Sequence, residues 1–70
     1  MHYVYVLQAL DDAENFYLGC TSDLKRRFRS HNRGDNPATH GHQWRLVYYE
    51  AYLTFSAART REYRLNTMVV

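Results

Sequence analysis

The sequence predicts a small α+β domain with elements in the order β-β-α-β-α, as a layered α/β arrangement. Three observations predict it. Residues 2–9 alternate and are rich in Tyr and Val, as a half-buried strand requires. Two segments, one after Thr21-Ser22-Asp23 and one after Thr54, open on capping residues and continue at helical spacing. Arg45 to Tyr52 is apolar or aromatic on both faces, which predicts a strand with a layer on each side. Seventy residues form one domain, 1–70, without internal repeats or linkers. Chains this short bury only about 60% of their unfolded surface. An aromatic content of 16% helps, because aromatic rings bury the most area per residue.

The first strand is His2 to Ala9. Asp11 to Asn15 is polar and suits a hairpin turn longer than two residues. The second strand is Phe16 to Cys20, and a symmetric hairpin sets Tyr5 opposite Tyr17 on one face. Thr21 or Ser22 caps the first helix, with Asp23 in its first turn. That helix runs from about Asp23 to Asn32, and Leu24, Arg27, Phe28 and His31 share a stripe that faces the sheet. Arg33 to Gln43, with Gly34, Pro37 and Gly41, is an irregular loop and by composition among the more mobile parts. In the third strand, Leu46, Tyr48 and Tyr52 share one face, and Val47, Tyr49 and Ala51 the other. Thr54 caps the last helix, which continues to about Asn66 with a stripe of Phe55, Ala58, Glu62 and Leu65.

Charge and cysteine usage narrow the setting. Net charge is only +2, but Lys25, Arg26, Arg27, Arg29 and Arg33 place five of the nine basic residues in one short run. Such local clustering attracts phosphate, although a solvated helix face has the same composition. Cys20 is the only cysteine, so an internal disulfide and a cysteine cluster for zinc are both excluded. A reducing, cytoplasmic compartment is the expectation. The N-terminus lacks the basic-then-apolar pattern of a signal peptide. No apolar stretch approaches the roughly 20 residues of a membrane span.

One residue conflicts with its surroundings. Glu62 lies on the apolar stripe of the last helix, so its carboxylate must be paired, protonated or bound to a cation. Arg27 and His31 are likewise carried toward the sheet. Each has an ordinary reading: an ion pair of Glu62 with Arg27 or Arg59, a helix-end histidine bonded to a loop, and core tyrosines at 5 and 17.

Taken together the residues resemble the GIY-YIG nuclease superfamily, in particular its small stand-alone members related to the N-terminal nuclease domain of the ABC excinuclease. Tyr3-Val4-Tyr5 stands where the family has Gly-Ile-Tyr, and Tyr17-Leu18-Gly19 stands for Tyr-Ile-Gly. Thr21 through Phe28, then His31-Asn32, looks like the family's first helix, whose catalytic arginine maps to Arg27. Trp44 through Glu50 resembles its third strand. Ala58 through Leu65 resembles the helix bearing the metal-binding glutamate, here Glu62. The resemblance covers about residues 2–66. It implies a three-stranded antiparallel sheet flanked by helices, and DNA cleavage with one divalent metal, two tyrosines, the arginine and the glutamate. Three features depart from the pattern. Tyr3 replaces the first glycine, Asn66 replaces a frequent lysine, and the chain stops at Thr67-Met68-Val69-Val70, short of a common helical extension.

The residue types suit that chemistry. Mg²⁺ (or Mn²⁺) prefers oxygen ligands and keeps several waters, so one carboxylate, Glu62, plus a substrate phosphate suffices. Arg27 can pair bidentately with phosphate. Tyr5 or Tyr17 can take the proton of the attacking water if nearby cations lower its pKa, and His31 can share that work. The five side chains are expected to line one concave, partly exposed surface. Lys25, Arg26, Arg29 and Arg33 are the expected DNA contacts. They are phosphate contacts, which position without specifying sequence. The expected function is a metal-dependent DNA endonuclease with little sequence specificity, acting in DNA repair or processing. A non-cleaving nucleic-acid-binding module and a partner-binding structural domain are the alternatives. A homo-oligomer is compatible with the sequence but not indicated by it.

Overall fold

A computed structural model describes residues 1–69, with side chains to residue 68, so Val70 and part of the apolar end Thr67–Val70 lie outside the described residues. The elements are β1 (His2–Ala9), β2 (Phe16–Thr21), α1 (Leu24–Arg33), β3 (Trp44–Tyr52) and α2 (Phe55–Val69). The three strands form one antiparallel sheet in the order β2-β1-β3. The order β-β-α-β-α and the antiparallel three-stranded sheet are those expected. No helix among the described residues is long and apolar enough to cross a membrane.

The hairpin register differs from the symmetric expectation. Tyr5 faces Gly19, and Tyr17 faces Leu7. The loop closes with Asn15 N donating to Asp12 O at 3.0 Å and Ala9 N to Asn15 O at 3.0 Å. This turn starts later than a symmetric one and slides the pairing by two residues. An even slip keeps both tyrosines on the same face, with ring centroids 6.4 Å apart.

β3 contains the second departure. Val6 pairs with Tyr48 but Leu7 pairs with Leu46, so Val47 is an extra residue in a β-bulge. The bulge reverses the alternation. Leu46 therefore joins the face of Tyr49 and Ala51, while Tyr48, Glu50 and Tyr52 occupy the other. Leu46 packs with Tyr17, Leu24 and Phe28 against a core of Tyr5, Leu7, Ala9 and Trp44. The opposite face buries Val4, and Ala58 of α2 is also buried. The sequence predicts layers on both sides along all of β3. Only Trp44 in that strand is buried, and Val47, Tyr48 and Tyr49 are exposed, because β3 is an edge strand that extends past the helices.

Helix ends follow capping chemistry. Asp23, rather than Thr21 or Ser22, caps α1: its carboxylate accepts from Arg26 N at 3.1 Å. The Thr21 hydroxyl is already occupied, accepting from Asp23 N at 3.1 Å. α1 ends at Gly34, whose φ of 79° is the left-handed conformation glycine tolerates best. Thr54 caps α2 as expected, with Ala57 N donating to its hydroxyl at 3.1 Å. The loop after α1 is held rather than loose. Asn32 exchanges two hydrogen bonds with the backbone of Trp44, at 2.6 and 3.0 Å, and Trp44 Nε1 donates to Thr39 O at 3.0 Å. Thr39 is buried.

Candidate active site

The centre of the site is a buried hydrogen-bond chain. Tyr5 and His31 are 1% and 0% exposed. The Tyr5 hydroxyl lies 2.7 Å from His31 Nε2, and His31 Nδ1 lies 2.8 Å from Thr39 Oγ1. The Thr39 hydroxyl donates its one proton to Asn36 O at 3.4 Å. Nδ1–H therefore donates to Thr39, and Nε2 accepts from the Tyr5 O–H. The sheet places Tyr5 here because Gly19 opposite it has no side chain, and the ring lies across that glycine.

Burial sets the protonation of both groups. It pushes the Tyr5 hydroxyl well above the ordinary phenol range, reinforced by Tyr17 and Glu62 and opposed by Arg27. The expectation that cations lower a tyrosine pKa therefore fails at Tyr5, where desolvation outweighs Arg27. Burial and then Arg27 push His31 below its usual 6.5, so its imidazole is neutral at neutral pH.

A pH profile of stability follows. His31 binds its proton more weakly when folded, so its contribution is complete above about pH 6.5 and falls as pH drops below that value. Tyr5 holds its proton more tightly when folded, so its contribution is complete below about pH 10 and is lost above. Thermal unfolding is expected to show a plateau between those limits with decline on both sides. His31→Gln should remove the decline just below pH 6.5; an unchanged acid limb there would contradict the buried neutral imidazole.

The remaining site residues flank this chain. Tyr17 is half-buried, with its ring 4.8 Å from that of His31. Arg27 is exposed, at the margin of the α1 stripe rather than under it, and has no side-chain hydrogen bond or ion pair among the described residues. It borders a cavity of about 380 Å³ with Thr21, Ser22, Asp23, Arg26 and Ser30. Glu62 is 23% exposed, and its only charged neighbour among the described residues is Arg59, with Nη1 at 3.6 Å. It borders a second cavity, of about 210 Å³, with Leu18, Arg59, Tyr63 and Asn66. The Glu62–Arg27 ion pair that the sequence allows is not formed. Nor do the five side chains line one concave surface: Tyr5 and His31 are buried, and Arg27 and Glu62 border separate depressions. What joins them is the field at Tyr5, whose hydroxyl responds to both Arg27 and Glu62.

Glu62 suits a hard cation that keeps most of its waters. Its oxygens accept no hydrogen bond among the described residues, and no group of three or more His, Cys, Asp or Glu forms a closed cage there. Of the basic run, Lys25, Arg26, Arg29 and Arg33 are all exposed, as phosphate contacts require. Arg33 is the exception in availability, because Asp35 pairs with it at 2.9 Å. Two features escape a reading of the sequence. Thr39 is buried against His31 from a loop with no periodic signal. Glu50 is engaged by Arg61, and its signal is its position between Tyr48 and Tyr52 on one strand face.

The chain matches the GIY-YIG catalytic domain over residues 1–67. It is 40% identical over 68 residues to a UPF0213 protein of Haloquadratum walsbyi, covering 94% of this chain and 74% of that one. It is 36% identical over 70 residues to a UPF0213 protein of Clostridium perfringens, covering 97% and 73%. A UPF0213 protein of Halobacterium salinarum is 37% identical over 70 residues, covering 97% and 88%. No solved structure matches. The sheet order, the Tyr5–Gly19 pairing and the helix-borne glutamate agree with that match, and the chain belongs to the GIY-YIG family of the nuclease superfamily.

Proposed function

We propose that this protein is a divalent-metal-dependent endonuclease that hydrolyses DNA phosphodiesters with little sequence specificity. The observation carrying the reading is that the charges of Arg27 and Glu62, from two helices, both act on the buried Tyr5 hydroxyl while Glu62 is left without a hydrogen bond. Glu62 would hold one Mg²⁺ or Mn²⁺, which supplies Lewis acidity to the phosphate. Arg27 offers its guanidinium to a phosphoryl oxygen and offsets the charge that builds there. Tyr5 can accept the proton of the attacking water on its oxygen while its own proton passes to neutral His31 Nε2. The half-buried Tyr17 is the other acceptor. The free Cys20 suits a reducing, cytoplasmic setting, and repair or processing of DNA is the role such an activity would serve. A non-cleaving nucleic-acid-binding module is the second reading, favoured by the separate depressions of Arg27 and Glu62.

The test is incubation with single-stranded, duplex and branched DNA in Mg²⁺ or Mn²⁺. Cutting is expected, and EDTA should abolish it. Binding to duplex should weaken steeply with salt. With Arg33 tied to Asp35, four contacts from Lys25, Arg26, Arg27 and Arg29 give a log–log slope of roughly −3 to −4. Salt-dependent binding without cutting in either metal would replace this reading with the second.

A further inference from the structure

The sheet-facing stripe of α2 is Ala58, Arg61, Glu62 and Leu65; every other described side chain of that helix is exposed. Phe55, expected on the stripe, is 58% exposed and meets only the edge of the His2 ring among aromatic partners. Two of the four inward positions are charged, and only Ala58 is fully buried. Apolar packing of this kind does little to fix how the helix is rotated about its own axis.

A polar contact supplies that definition. Arg61 Nε donates to Glu50 Oε1 at 2.8 Å, and Arg61 Nη2 donates to Glu50 Oε2 at 3.1 Å. The Tyr52 hydroxyl donates to Oε1 at 2.6 Å, and the Tyr48 hydroxyl donates to Oε2. Tyr48, Glu50 and Tyr52 share one face of β3 by the two-residue alternation, so one strand presents a carboxylate flanked by two phenols. Glu50 is 18% exposed and Arg61 36%. Arg61 first, then Tyr48 and Tyr52, hold the Glu50 carboxyl down at about 2, so it is charged at all physiological pH. A planar guanidinium meeting two oxygens fixes orientation as well as distance.

The geometry points to Glu50 and Arg61 as positioning residues for Glu62, an assignment that rests on reading Glu62 as the metal-binding carboxylate. Arg61 reaches toward β3. Glu62, about 100° further round the helix, borders Leu18 of β2. β2 and β3 are the two edges of the sheet, with β1 between them. α2 thus bridges the sheet, tied at the β3 side by the fork. A rotation that frees Arg61 from Glu50 moves Glu62 relative to the β2 edge, where Tyr5 lies across Gly19. Arg59 does not serve this purpose, because it is well exposed and 3.6 Å from Glu62.

The test compares the parent with Glu50→Gln, Arg61→Lys and the milder Tyr52→Phe. Three quantities are measured: Mn²⁺-induced broadening of the Glu62 amide signal in NMR titrations, kcat and KM for DNA cleavage, and the melting temperature. Glu50→Gln and Arg61→Lys are expected to weaken Mn²⁺ binding at Glu62 and lower kcat by roughly 10-fold, with KM little changed, as loss of an outer-shell contact does. Tyr52→Phe, which keeps the fork, should show a smaller loss in the same direction. If all three bind Mn²⁺ and cut like the parent while only the melting temperature falls, the contact is structural and the assignment fails. If the parent does not cut DNA, the nuclease reading fails separately and the Mn²⁺ titration decides alone. Broadening at Glu62 that is absent in the parent, or equal in parent and variants, overturns the positioning role; broadening in the parent that the variants weaken supports it.

Discussion

Gly19→Ala is expected to destabilise the domain more than any other single methyl addition, by roughly 3 kcal/mol or more. A Cβ at this position would lie 2.5 Å from Cζ of Tyr5 and 2.9 Å from Cε1, distances real carbon atoms do not adopt. The backbone is not the cause, since among glycines only Gly34 and Gly41 have positive φ. Tyr5 must therefore move. It is 1% exposed and bonded to His31, so its ring has no free volume to enter. Overpacking costs about 1–3 kcal/mol. Separating the Tyr5 hydroxyl from His31 Nε2 leaves buried polar atoms unpaired, at about 1–3 kcal/mol more. At roughly 0.05–0.15 kcal/mol per residue, a 70-residue domain has only about 3.5–10 kcal/mol in total. Each kcal/mol moves the melting point of so small a domain by about 4–8 °C. A fall of roughly 12 °C or more is expected by thermal unfolding. Gly41→Ala is the contrasting control: nothing lies within 4 Å of its Cβ, so only the left-handed backbone opposes it, at about 1–2 kcal/mol. Equal melting points for the Gly19 variant and the parent would mean that Tyr5 does not lie across β2.

This contact also explains why the second tyrosine motif ends in glycine. The glycine admits the first motif's tyrosine to the β2 edge, so the two motifs are halves of one packing arrangement. That dependence is legible only in part from the sequence. The strands, the helices and their order follow from local signals: alternation in His2–Ala9, the caps near Asp23 and Thr54, and the inward positions of Leu24, Phe28 and His31. What local signals miss is the addition or slippage of residues between elements. The hairpin slides by two because loop length alone does not select the turn. The bulge at Val47 moves Leu46 to the other face because one extra residue reverses every later alternation. Hydrophobicity favours Phe55 over Arg61 for the α2 stripe; the guanidinium is inward because Glu50 receives it across the sheet. For the same reason the alternation that marks Tyr5 as strand-borne says nothing of its complete burial. That depends on Gly19 and Thr39, residues from two other segments.

Glu62→Gln is expected to lower DNA cleavage by about 10³-fold while leaving the fold nearly unchanged. The substitution keeps the shape of the side chain and removes its charge. A neutral amide is a poor substitute for a carboxylate toward a hard dication. Little structure depends on that charge: its one charged neighbour among the described residues is an exposed Arg59 at 3.6 Å, and surface pairs of this kind contribute at most about 1 kcal/mol. The melting temperature should therefore move by only a few degrees. The same substitution has a spectroscopic signature independent of turnover. Glu62 raises the pKa of the Tyr5 hydroxyl, so its neutralisation should shift Tyr5 ionisation to lower pH, whereas Arg27→Met, which removes an opposing charge, should shift it higher. Tyrosine-selective NMR across the alkaline range reads both displacements. The two arms separate the electrostatic linkage from the catalytic one. Displacements in the stated directions with loss of cutting place Glu62 both in the field of Tyr5 and at the metal. Displacements with cutting retained within about 10-fold of the parent leave the field intact but require a different metal ligand. No displacement in either variant would remove the coupling that joins the two helices into a single site.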